Sequence, residues 1–244
     1  MRIKRIKKQI IKNEKLAELL GVIAGDGHLQ VYKSKKRSSY AIVITGNKTE
    51  DIDYFEFLRN LIKDIFDEDS KIYNKKDGIY LKLWSKEIVE LINVLGIPIG
   101  NKSHILKTPG WIKPDTNFIK SFIRGLADTD FCITFKKGDR RRNSYPVITG
   151  YFSSYKLASE VSQFLKGIGV SGNLYKETND YFGTNSVQYR LDINGVENLY
   201  RWMNTIGFNN PKHMTKFLVW EKYGYLLPNT TIQQRKNLLK VRNS

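Results

Sequence analysis

Between residues 51 and 66 apolar side chains recur every three to four positions, and the pattern returns over 154–168. Both segments read as amphipathic helices. Each is followed by two short runs with strand character, 71–74 and 79–84 in the first case, 173–176 and 187–193 in the second. Each pair of runs leads into a further helical pattern that stops at a glycine, 86–95 before Gly96 and 196–206 before Gly207. Upstream, Tyr-Ala-Ile-Val-Ile-Thr-Gly at 40–46 resembles Tyr-Pro-Val-Ile-Thr-Gly at 145–150. The order helix, strand, strand, helix, strand, strand, helix therefore occurs twice. A unit of about 100 residues is too long for a solenoid repeat and reads as a duplicated α+β domain. The expected division is a first half at 1–104, a linker at 105–117, a second half at 118–228 and a basic tail at 229–244. Pro109, Gly110 and Pro114 argue against regular structure in the linker. The tail reads equally as an added arm or a free end.

The helix that opens each half carries the most informative pattern. With Asp26 set over Asp130, an offset of 104 residues, Gly21 falls on Gly125. Ala17, Gly21 and Gly25 fall on Ser121, Gly125 and Thr129. Positions four apart share one helix face, so each half presents a stripe of small side chains. Glycine inside a helix costs about 1 kcal/mol relative to alanine. Glycines of this kind can simply mark helix ends. Found twice, each time with an aspartate just past the stripe, they predict two helices packed backbone to backbone. Asp26 and Asp130 then stand at helix C-termini, where the helix dipole is already negative. Paired carboxylates in such a place suit a divalent cation, and magnesium accepts oxygen ligands while keeping waters and substrate phosphate.

Charge narrows the partner. The chain has 41 lysines and arginines against 24 acids, a net charge of +17, spread along its length. A folded basic protein of this kind is most simply a nucleic-acid binder. No apolar run is long enough to span a membrane, and the basic N-terminus lacks the features of a signal peptide. Cys132 is the single cysteine, so an intrachain disulfide and a cysteine zinc cluster are excluded, in keeping with a reducing compartment. His28, His104 and His213 show no metal-ligand spacing. No Walker loop, dinucleotide fingerprint or nucleophilic triad is present.

The segments Leu-Leu-Gly-Val-Ile-Ala-Gly-Asp-Gly at 19–27 and Ile-Arg-Gly-Leu-Ala-Asp-Thr-Asp-Phe at 123–131 resemble the two motifs of single-chain LAGLIDADG homing endonucleases. The order of elements agrees over roughly residues 14 to 225. The resemblance implies two pseudo-symmetric αββαββα halves, with DNA-facing antiparallel sheets, packed through the two motif helices. It implies a metal-dependent double-strand DNA endonuclease using Mg2+ or Mn2+. Asp26 and Asp130 would bind the metals, with the backbone carbonyls of Gly25 and Thr129 as further ligands. Lys102 and Lys212, in matching segments after Gly96 and Gly207, would polarise water or steady phosphate charge. Phe131 departs from the family, which favours glycine there.

Alternation after each acid places Leu29 and Val31 inward with His28, Gln30 and Tyr32 outward; Phe131, Ile133 and Phe135 inward with Cys132, Thr134 and Lys136 outward. Lys71, Tyr73, Lys75, Tyr80, Lys82, Gln188, Arg190 and Asp192 give similar polar faces. Such ribbons fit the DNA major groove, although an ordinary solvent face looks the same. Basic loops at equivalent places, with Lys33, Lys35, Lys36 and Arg37 in one and Lys136, Lys137, Arg140, Arg141 and Arg142 in the other, suit phosphate contact. Asn47 and Lys48 follow the second strand of the first half and are further candidates. The expected partner is double-stranded DNA, with no membrane. A non-catalytic DNA-binding regulator and an RNA-binding maturase for a host intron are alternatives on the same fold. Two halves in one chain predict a monomer. No splicing-domain residues are evident at either end, which predicts a free-standing prokaryotic enzyme, or an organellar one, rather than one embedded in an intein.

Overall fold

A computed structural model describes residues 11–34, 37–76, 78–137, 143–181 and 184–240; side chains 179–181, 184 and 185 are not described. Two compact units are present, Met1–Thr129 and Asp130–Ser244. The first contains helices α1 (Glu14–Ala24), α2 (Ile52–Phe66) and α3 (Lys86–Val94) and strands β1 (Gly27–Lys33), β2 (Ser38–Gly46), β3 (Lys71–Lys75) and β4 (Gly78–Trp84). It also takes in all but the last residue of α4 (Thr116–Asp130). The second holds β5 (Phe131–Lys137), β6 (Asn143–Phe152), β7 (Asn173–Tyr181) and β8 (Thr184–Asn194), with α5 (Tyr155–Gly167), α6 (Val196–Thr205), α7 (Pro211–Tyr223) and α8 (Ile232–Lys240). The fold is α+β, with two four-stranded antiparallel sheets ordered β1-β2-β4-β3 and β5-β6-β8-β7.

In the first unit the α1 terminus is set by Asn13, whose side-chain oxygen accepts from Leu16 N at 2.9 Å. Ser85 caps α3 in the same way through Ile88 N, at 3.3 Å. Leu29, Ile42 and Leu83 lie in register across the sheet, as do Ile44 and Leu81, and all are buried beneath the helices. Val31 is only half-buried, because β1 runs outward there toward its loop. Helix α4 begins two residues inside the segment expected to be irregular. The Asp115 carboxylate accepts from Asn117 N at 2.8 Å and Phe118 N at 3.1 Å, which starts the helix directly after Pro114.

Helices α1 and α4 meet backbone to backbone. A Cβ on Gly21 would stand 2.0 Å from the Phe122 carbonyl oxygen, and one on Gly125 would stand 2.1 Å from that of Glu18. No side chain larger than hydrogen fits at either point, so the small stripes are a packing device as the pattern predicted. Flanking them, Arg124 Nη2 donates to Glu18 Oε2 at 2.7 Å. The Tyr54 hydroxyl lies fully buried nearby, and its pKa is raised well above 10.0 by burial, then by Asp128 and Glu18.

In the second unit Phe131 explains its own departure from the motif. It pairs with Gly150 across the strands, and a Cβ on Gly150 would meet the Phe131 ring at 2.4 Å. The ring also packs against Phe152 and Trp202, each 5.6 Å away between centroids. The corresponding Gly27 has Ile23 against it, 2.7 Å from where a Cβ would be. Each half thus fills this position from a different side. The stretch after Pro228 forms α8, which packs on α7: Arg235 is buried and its Nε donates to Thr215 Oγ1 at 3.0 Å.

Candidate nuclease site and nucleic-acid face

The site begins where α1 stops. Helix C-termini leave carbonyls without intrahelical partners, and here a lysine far along the chain supplies them. Lys102 Nζ lies 2.5 Å from each of the Ile23, Ala24 and Gly25 carbonyl oxygens. The segment carrying Lys102 is pinned to β1, since Gly100 N donates to Leu29 O at 3.0 Å and Ile99 bridges Leu29. Gly100 has φ +84, a conformation that favours glycine, and this turns the chain toward the helix end. Asp26 follows in an exposed turn. Its own carbonyl oxygen accepts from Thr45 N at 3.2 Å and Thr45 Oγ1 at 3.3 Å, which holds the acid's backbone against β2. Gly25 N donates back to Gly21 O at 3.0 Å.

Asp130 is the last residue of α4 and is half-buried. The Thr129 hydroxyl donates to Leu126 O at 2.8 Å, closing the last turn. Lys212 sits in the first turn of α7, with its backbone N–H on the Asn210 cap at 3.0 Å. Nearby in the same unit, Lys216 Nζ donates to Ile133 O at 3.2 Å.

The acids and carbonyls expected to meet a metal are all oxygen donors, Gly25 and Asp26 after α1 and Thr129 and Asp130 at the end of α4. No cluster of three or more histidines, cysteines and acids occurs among the described residues. This composition fits a hard cation that keeps most of its shell for water and phosphate, as magnesium does. Helix-end carbonyls that already attract an ammonium group show that the place favours positive charge. His28, half-buried on β1, has its pKa lowered from 6.5 by burial, then by the charges of Lys102 and Lys82.

On the first sheet the registers Gly27 to Lys33 against β2, β2 against β4 and β3 against β4 put His28, Lys82 and Lys71 in one row. Tyr73 and Tyr80 form the next row, and Gln30 and Trp84 the row on the other side. Tyr32 and Lys75 belong to the same face. The exposed Trp84 lies against Tyr32, with centroids 5.3 Å apart and the rings tilted by 39°. Sequence reading missed it, although its alternation with Lys82 and Tyr80 marks it. Lys75 lies over the Tyr80 ring at 5.4 Å. Lys33 and Arg37 are exposed at the hairpin end. Asn47 is a turn residue, its oxygen accepting from Thr49 N at 2.9 Å and Glu50 N at 3.1 Å. The exposed Lys48 reaches Lys76 O at 3.4 Å.

On the second sheet Cys132, Thr149, Asp192 and Asn173 share a row, and Tyr151, Arg190 and Tyr175 the next. Arg190 is held between carboxylates: it pairs with Glu177, and its Nε lies 3.2 Å from Asp192 Oδ2. The guanidinium lies 5.1 Å from the Tyr175 ring centroid. Asp192 also accepts from Thr149 Oγ1 at 3.0 Å. This pre-set arginine was not legible in its acidic partners. Gln188 is half-buried, and Thr134, Lys136 and Lys137 are exposed. Lys35, Lys36, Arg140, Arg141 and Arg142 lie outside the described residues. No described helix is long and apolar enough to cross a membrane.

Residues 117–207 match the LAGLIDADG-like domain. Over 206 residues the chain is 27% identical to the replication factor C small subunit of Methanocaldococcus jannaschii, covering 84% of this chain and 10% of that protein. Over 121 residues it is 32% identical to the replicative DNA helicase DnaB of Rhodothermus marinus, covering 49% and 12%. The chain thus spans only 10% and 12% of the length of these curated relatives. Among solved structures, I-DmoI in complex with DNA and Mn shares 21% identity at a TM-score of 0.58, over 80% of this chain and 96% of that one. The N-terminal LAGLIDADG domain of DUF199/WhiA shares 16% at 0.51, over 84% and 86%. The match to the LAGLIDADG-like domain thus covers the second half, and the chain as a whole is similar in fold to I-DmoI.

Proposed function

We propose that this chain is a site-specific endonuclease that makes metal-dependent double-strand cuts in a long DNA target. The observation that carries the reading is the duplicated end of the interlocked helices: Gly21 and Gly125 bury backbone against backbone, and each helix runs out into an aspartate. The fold alone does not imply cutting, since function resides in the site. The acids make the difference. Asp26 and Asp130 hold the metals, assisted by the Gly25 and Thr129 carbonyls, and Mg2+ or Mn2+ suits these donors. When bound, such an ion supplies a Lewis acid for the phosphate and lowers the pKa of a coordinated water. I-DmoI has been solved in complex with DNA and Mn, and a variant of it with its target DNA in the presence of Mg, which supports both the substrate and the ions.

Lys102 and Lys212 stabilise phosphate charge at the two halves. His28, Gln30, Tyr32, Lys71, Lys82, Thr134, Gln188 and Arg190 present polar groups to base edges, and Lys33, Arg37, Lys136 and Lys137 anchor the backbone. One chain carries both acids, so the active species is a monomer. A plasmid library with partly randomised inserts, incubated with Mg2+ or with EDTA and sequenced at the ends produced, tests the reading. Discrete Mg2+-dependent double-strand ends are expected. Salt-sensitive binding without ends across a well-covered library would transfer the site to a non-catalytic regulator or an RNA-binding maturase.

A further inference from the structure

We infer that Lys102 is a resident cation that occupies the first half's metal position in the free protein and leaves it when DNA arrives; this rests on the nuclease reading above. Its ammonium group touches the Ile23, Ala24 and Gly25 carbonyl oxygens at 2.5 Å each. That is a three-donor group matched to three acceptors at the negative pole of α1. The Gly25 oxygen is the one the metal would also use. A divalent ion sits roughly 2.1 Å from such an oxygen, so ion and ammonium cannot share it without strong repulsion.

The placement is built in. Gly100 turns the chain at φ +84, Gly100 N–H and Ile99 fasten the segment to Leu29, and Lys102 follows two residues later. Capping stabilises the free helix end and keeps the Asp26 backbone in position for substrate. A lysine side chain has a long flexible stem, and the strongest competing partner for its charge is a phosphate. A DNA phosphate at the site therefore draws the ammonium away and uncovers Gly25 O. Metal binding and DNA binding become coupled, and the coupling is reciprocal. The free protein then holds little metal at this half, which limits hydrolysis to assembled complexes.

The test measures Mn2+ affinity of the full chain without DNA, from the paramagnetic resonance of unbound Mn2+. Lys102→Gln keeps hydrogen-bond donors for the carbonyls and removes the charge. It should bind Mn2+ about tenfold more tightly than the unaltered protein, and Asp26→Asn added to it should abolish the gain. Equal or weaker affinity in Lys102→Gln overturns the inference. Should that variant fail to fold, Lys102→Met is measured in its place with the same criterion. Site-specific cleavage by the unaltered protein with unchanged Mn2+ affinity in Lys102→Gln removes the resident-cation role alone, whereas an affinity gain in Lys102→Gln with no cleavage by the unaltered protein removes the nuclease reading alone.

Discussion

Gly21 and Gly125 are reciprocal: each leaves room for the other helix's backbone, with the Phe122 carbonyl oxygen 2.0 Å from one absent Cβ and the Glu18 carbonyl oxygen 2.1 Å from the other. Neither obstacle is a flexible side chain that could swing aside. Gly21→Ala gains about 1 kcal/mol of helix propensity, but overpacking a tight contact costs roughly 1–3 kcal/mol or more. The expected result in thermal unfolding is a lower Tm, by about 2–4 °C for each net kcal/mol. An unchanged or raised Tm would mean that the helices are not in backbone contact.

Beside this contact, Glu18 has a side chain only 5% exposed and pairs with Arg124 at 2.7 Å. Removing one partner strands the other. Arg124→Met should therefore destabilise by roughly 3–5 kcal/mol in urea unfolding, while Glu18→Gln combined with Arg124→Met should recover part of that loss. A double variant as unstable as the sum of the single ones would show that the pair does not act as a unit.

His28 gives a pH dependence of known sign. Burial first, then Lys102 and Lys82, hold its folded pKa below 6.5. Folding therefore favours the neutral ring. Its contribution is fully present above the unfolded value, and it is lost as pH falls below 6.5 because the unfolded chain takes up the proton first. Stability of the wild type relative to His28→Gln should fall between about pH 8 and about pH 5. A difference independent of pH in that window would contradict this assignment.

Lys71 and Lys82 stand directly opposite each other on β3 and β4. Like charges in that position are unfavourable without an anion. Lys82→Ala should leave stability unchanged or slightly raised while weakening DNA binding, and should reduce the slope of log affinity against log salt by about 1. A parallel loss of stability, or an unaltered slope, would remove this lysine from the DNA face.

Much of this was legible because the code was local or repeated. The helices over residues 52–66 and 155–167 follow their apolar period, and the outward faces of β1, β4 and β5 follow alternation. The glycine contact was legible only because it occurs twice. Strands β7 and β8 run further than their apolar parts, to Tyr181 and from Thr184, and are paired there with each other. The Lys102 cap joins residues 77 to 79 apart, and no local spacing announces it. The Arg190 clamp likewise needed the pairing of β7 with β8 to bring Glu177 near.

The central claim is that one aspartate from each half is needed to cut both strands. The most direct measurement is cleavage of the selected target by Asp26→Asn and Asp130→Asn, each with Mg2+, alongside DNA binding by the same proteins. Loss of double-strand cutting in both variants, with binding retained, is the predicted result. Full double-strand cutting by either variant would contradict the account.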